Sequence, residues 1–203
     1  MALGVCLVVV LRSGCGKTAG GEAASLDKET EISQLTQSVS QETQGQQENT
    51  TTEQTATLYI GSEAAGFSEY PMAYQDYATP EMLLQGIPDL TSWNLSLADE
   101  ITSGKCGMTV VFSAEACLFT GPPMEQKEEF HVYDSVEFTF MVLDSIQKTL
   151  QNWSSPMNPD VVDIYYAMEG DVNMELTSLG VTWPLYMPYS HSELEALLSE
   201  TPR

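Results

Sequence analysis

Few side chains in this sequence can do acid, base or nucleophilic chemistry. The chain carries two histidines, His131 and His191, and four cysteines, Cys6, Cys15, Cys106 and Cys117. Proton transfer needs such a group placed beside a second polar partner. His131 stands just before a long helical pattern and His191 near the C-terminal cap, and both read as ordinary surface residues. No serine or cysteine lies in a nucleophile-elbow pattern. No CxxC pair is present, so a structural zinc site is not supported. VCLVVVLRSGCGKT, from Val5 to Thr18, looks like a strand entering a phosphate loop, but Leu11 fills the first glycine position of that pattern. The residues after Thr18 offer no long apolar face for a helix whose N-terminus holds the phosphate. Asp171, Asn173 and Glu175 alternate as in a calcium loop, but the central glycine and distal glutamate are missing, so they read as a solvated turn. No catalytic, cofactor-binding or metal-ligating residue is assigned.

Composition narrows the function classes further. The 203-residue chain has 29 acidic and 7 basic residues, a formal net charge of -22. Such a chain repels phosphate backbones and anionic lipid surfaces, which excludes nucleic acid as a partner. The acidic surplus is spread along the sequence and reads as a soluble surface. Its sharper reading is a face that captures cations or a basic partner.

Residues 1–18 divide from the rest. Ala2 to Leu11 is too short to span a bilayer, which takes about 20 apolar residues, and suits the apolar region of a signal peptide. Ser13-Gly14-Cys15 then resembles the lipobox of bacterial lipoproteins. The resemblance implies that Cys15 receives a lipid and becomes the mature N-terminus, with the protein anchored to the outside of the cell membrane. Residues 19–56 are rich in Gln, Thr, Ser and Glu and are expected to form a disordered linker. As a flexible tether it would span roughly some tens of ångströms.

Residues 57–189 carry the folding signals. Thr57 to Ile60 is a short strand pattern. Ala65 to Tyr77 contains Phe67, Tyr70, Tyr74 and Tyr77 and is expected to be irregular, its aromatics covering a core edge or lining a ligand groove. Thr79-Pro80 opens a compact helix that Gly86 stops, with Met82, Leu83 and Leu84 inward. Asn94 to Ile101 and Met108 to Ser113 read as a hairpin turning through Gly104. Cys106 and Cys117 bracket its second strand. They can form a disulfide only where the chain bends back after Ser113, because an extended strand holds the Cα atoms beyond the bonding limit of about 7 Å.

The strongest signal runs from Asp134 to Met168. Asp134 and Glu137 suit the cap and third position of a helix. Val136, Phe140, Leu143, Ile146, Leu150 and Trp153 form its apolar stripe. Val161 to Met168 is a β-rich strand, and Val172 to Leu176 a short return. In residues 190–203, Ser192 and Glu195 form a capping box for a final short helix.

The expected class is α+β: a small β-α-β-β-α-β two-layer domain with an antiparallel or mixed sheet, two helices on one face and the disordered linker in front. LYI, PEMLLQGIPDL, MTVVFS, FMVLDSIQKTL and VDIYYAMEGD together resemble the GerMN-type sporulation and spore germination domain of Gram-positive bacteria. That resemblance implies a non-catalytic binding or assembly module of the cell envelope, with another envelope protein or its own copies as partner. A ligand-capturing lipoprotein and an envelope hydrolase are the alternatives.

Overall fold

The computed structural model describes residues 53–62, 66–104 and 107–201. The signal segment, Cys15 and nearly all of the expected linker lie outside the described residues. The class is mixed α+β, with helices packed on antiparallel and mixed sheets.

The chain enters as β1 (Gln54–Ser62), which pairs antiparallel with β2 (Gly66–Tyr74). The strand expected at Thr57 to Ile60 is longer at both ends. The aromatic stretch expected to be irregular is its hairpin partner: Tyr70, Met72 and Tyr74 alternate inward beside buried Leu58 and Ala56. The spacing of three and four between the aromatics, together with Pro71, obscures this period-2 pattern.

Helix α1 (Pro80–Thr91) starts as expected, with Thr79 Oγ1 accepting from the Met82 amide at 3.2 Å. Gly86 does not end it. The helix continues through Pro88 to a left-handed Ser92, whose amide donates to the Pro88 carbonyl. The missing Cβ of Gly86 lets α1 lie against Leu58 and Met72 of the hairpin. Leu83 and Leu84 are buried, whereas Met82 is exposed.

The expected hairpin is shorter than its pattern. β3 (Thr102–Ser103), read in the sequence as turn, pairs antiparallel with β4 (Gly107–Phe112), and of the expected first strand Leu97 makes a single antiparallel bridge to Phe112. Leu95 and Ile101 are buried from irregular backbone, tied to β4 by the Ala98 amide on the Val111 carbonyl. Beyond β4 a single turn, α2 (Cys117–Thr120), leads into a polar loop at residues 121–127. Gln126 is buried within that loop. Its amide oxygen accepts from the Trp93 indole and the Val132 amide, and its amide nitrogen donates to the Val132 carbonyl.

Helix α3 (Ser135–Ser154) is capped by Asp134, which accepts from the Val136 and Glu137 amides, both at 2.9 Å. It packs on β1 and on β5 (Asp163–Met168), which runs parallel to β4. Leu143, Ile146 and Leu150 are fully buried, and the Tyr166 hydroxyl donates to the Leu143 carbonyl at 2.7 Å. Phe140 departs from the expected face and stacks on His191 instead.

The chain closes with β6 (Met174–Leu176) paired to β7 (Val181–Trp183), then α4 (His191–Glu200) packed on β7. The return strand is three residues long and pairs with Val181–Trp183. The cap of α4 is Ser190, not Ser192, and the two hydroxyls lie 3.1 Å apart. The sheet therefore splits into pieces rather than forming one surface through β1. The order β3-β4-β5 is flanked by two separate two-stranded ribbons.

Candidate functional site

Two features bring polar groups together where a partner or ligand can reach them. One is a groove of about 690 Å³ walled by the tip of the β1–β2 hairpin, α3 and α4. Phe67 and Phe140 supply its apolar lining, and Asp134, Glu137, Asp144, Asp160 and Glu195 its carboxylates. Lys148 lies over the rings of Tyr59 and Phe67, at 6.0 and 5.8 Å from their centroids.

Within the groove, Asp144 joins α3 to the last segment of the chain. Its Oδ1 accepts from the Tyr189 hydroxyl at 2.6 Å, and its Oδ2 pairs with His191 Nδ1 at 2.7 Å. The His191 ring stacks on Phe140 with centroids 4.2 Å apart. Burial and the adjacent Asp144 charge push the Tyr189 phenol far above its ordinary value, so it stays a donor. The Asp144 carboxylate orients the imidazole, as in a catalytic dyad. No nucleophile is hydrogen-bonded to His191 among the described residues.

Sequence reasoning placed both histidines on the surface. His131 is exposed, 5.4 Å from the Tyr133 ring. His191 is also exposed, yet it carries a defined partner 47 residues away, which spacing cannot reveal. Of the aromatics considered for a ligand groove, Phe67 lines this one and Tyr77 is exposed, whereas Tyr70 and Tyr74 cover the core.

The second feature is the hairpin itself. In an antiparallel ladder, opposed residues alternate between pairs that exchange both hydrogen bonds and pairs that exchange none. Pro71 has no N–H and faces Thr57, so that pair belongs to the second kind. The same parity holds for Gly61 with Phe67, Tyr59 with Glu69 and Thr55 with Ala73. The backbone groups of these residues point away from the hairpin. On the β1 side α3 meets them: the Tyr59 amide donates to Thr149 Oγ1 at 3.0 Å and the Gly61 amide to Ser145 Oγ at 2.9 Å. On the β2 side the amides of Phe67, Glu69 and Ala73 meet no partner among the described residues.

Cys117 is a free, buried thiol, and burial pushes its pKa up to about 12. Cys106 lies outside the described residues. Its neighbour Gly107 opens β4; beyond the other end of that strand the chain turns, the Ala116 amide donating to the Ser113 carbonyl and the Cys117 amide to the Asn94 carbonyl. Around Asp171, Gly170 and Asp171 form the turn with positive φ, while Asn173 Oδ1 accepts from the Leu185 amide. No group of three metal-ligating side chains gathers among the described residues, and none of their helices is long and apolar enough to cross a membrane.

Comparison of this chain with family models, curated proteins and solved structures finds no match in any of the three.

Proposed function

We propose that the protein is a non-catalytic binding or assembly module of the bacterial cell envelope, tethered to the membrane through a lipid on Cys15. The supporting observation is the one-sided hairpin. Its β1 edge is closed by α3 hydroxyls, while β2 presents outward backbone donors and acceptors in an exposed strand. An open strand edge is a ready template for pairing with another chain. The GerMN-like motifs and the lipobox-like Ser13-Gly14-Cys15 support the class and the location of the module.

The His191–Asp144 pair favours an envelope hydrolase as the second reading, since an oriented imidazole can serve as a base. One experiment separates them. A photo-crosslinking amino acid is placed at Glu69, or at exposed Ser178 as control, in the full chain in its own bacterium. Adducts with an envelope protein or a second copy from position 69 alone support the module. Turnover of peptidoglycan or an ester by the purified chain, lost in His191→Ala, would contradict it.

A further inference from the structure

We infer that the outer edge of β2 receives a basic, extended segment of a partner protein as a third strand, centred on Phe67 and Glu69. This inference rests on the binding-module reading and adds the partner's chemistry and its register.

The register follows from proline. On the outer edge of β2, Phe67, Glu69 and Ala73 offer N–H groups, and Pro71 interrupts them. An added strand therefore finds consecutive donors only between the hairpin tip and Pro71. The side chains on that stretch suit an extended peptide. Phe67 is 42% exposed and gives an apolar contact at the tip. Tyr70 and Met72 face inward and fix the strand to the core.

The charge of the occupant follows from what flanks the edge. Glu69 is exposed on this strand. Glu128 and Glu129 line a cavity shared with Ser68 and Tyr70, and Asp89 lines another shared with Tyr70 to Ala73. The nearby cations are already engaged: Lys127 Nζ donates to the Asp89 carbonyl at 2.7 Å, and Lys148 lies over Phe67. A second copy of this chain is the wrong occupant, because its net charge of -22 would meet the same charge. A lysine- or arginine-bearing strand gains both the ladder hydrogen bonds and the opposite charge.

The test uses the isotope-labelled full chain and two synthetic probes, an alternating Val-Lys decapeptide and its Val-Glu counterpart. Backbone amide shifts and hydrogen exchange are followed by NMR. The Val-Lys probe should protect the Phe67 and Glu69 amides, with affinity falling about tenfold or more from low to high salt. Glu69→Pro should abolish that protection, because its N–H points away from β1 and the hairpin loses no bond. Glu69→Lys keeps the N–H and should weaken binding through charge alone, so the test survives if the proline variant misfolds.

Equal binding of the two probes, binding that leaves Phe67 and Glu69 unchanged, or no binding overturns the inference. Protection that grows with protein concentration alone also overturns it, in favour of a second copy. A position-69 crosslink to a neutral or acidic protein would sink the basic partner while leaving the module reading intact.

Discussion

Thr149 of α3 takes the place of a neighbouring strand for Tyr59. The Tyr59 amide donates to Thr149 Oγ1 at 3.0 Å, and the same hydroxyl reaches the Tyr59 carbonyl at 3.4 Å. Ser145 Oγ, one helical turn earlier, accepts from the Gly61 amide at 2.9 Å. A helix with two buried hydroxyls in its core face thus closes a strand edge. Thr149→Val keeps the shape and removes the acceptor, leaving a part-buried N–H unpaired. Urea denaturation should show a loss of about 1–3 kcal/mol, largely restored by Thr149→Ser. An unchanged midpoint would mean that water replaces the hydroxyl.

Asp144 ties α4 and the Tyr189 segment to α3 through two hydrogen bonds on separate oxygens. Asp144→Asn replaces one acceptor oxygen and removes the charge that both partners meet. The cost should be about 1.5–3 kcal/mol, the range for bonds to a charged group. Amides of α4 should exchange faster while those of β4 and β5 hold. Uniform acceleration across the chain would show instead that the tie is global.

Cys117 gives a prediction in both reactivity and pH. The thiolate is the reactive form, and burial raises the thiol to about 12. Cys117 should resist alkylation in the native protein and react once unfolded, without reductant. Failure to react after unfolding would reveal a disulfide. A folded-state pKa raised above the unfolded value contributes stability that is complete below about pH 8.5 and is lost as pH rises toward the folded value. Tyr166 and Tyr189, raised by burial and by Asp144, act in the same direction. The urea midpoint should therefore fall through the alkaline range.

Glu81 acts at the other end of the scale. Partial burial pushes its carboxyl upward, but hydrogen bonds from its own backbone, the Thr79 hydroxyl and the Ile101 amide outweigh this and lower it. The Ile101 amide donates to its Oε1 at 2.9 Å. A lowered carboxylate contributes stability above the unfolded value, lost as pH falls below about 4. Glu81→Gln should make stability less sensitive to acid in that range, as read by midpoints across a pH series.

Gly107 of β4 stands opposite Asp163 of β5. A Cβ there would strike the Asp163 carbonyl and Cβ, and backbone cannot swing aside as a side-chain end can. Gly107→Ala should destabilise the chain by about 1–3 kcal/mol, the cost of overpacking. A neutral result would show that the parallel pair ends after this residue.

Local patterns made the α+β class, Thr79, Asp134 and the long α3 helix legible, because caps and 3.6-residue periods are set by near neighbours. Tertiary choices were hidden. Gly86 was read as a stop, yet it is a contact point against Leu58 and Met72. Ser145 and Thr149 interrupt the apolar stripe, and only the docked β1 edge explains their burial. The Asp144–His191–Tyr189 cluster joins residues more than 40 positions apart, so no spacing rule reaches it. Pro71 sits where its missing N–H costs the hairpin nothing.

The central claim is that one edge of the hairpin is sealed and the other open. Residue-resolved hydrogen exchange of the native chain measures this directly. The amides of Tyr59 and Gly61 should be protected by Thr149 and Ser145, while those of Phe67, Glu69 and Ala73 exchange at close to the unprotected rate. Protection of Phe67, Glu69 and Ala73 equal to that of Tyr59 and Gly61, in the monomeric chain without a partner, would contradict the account.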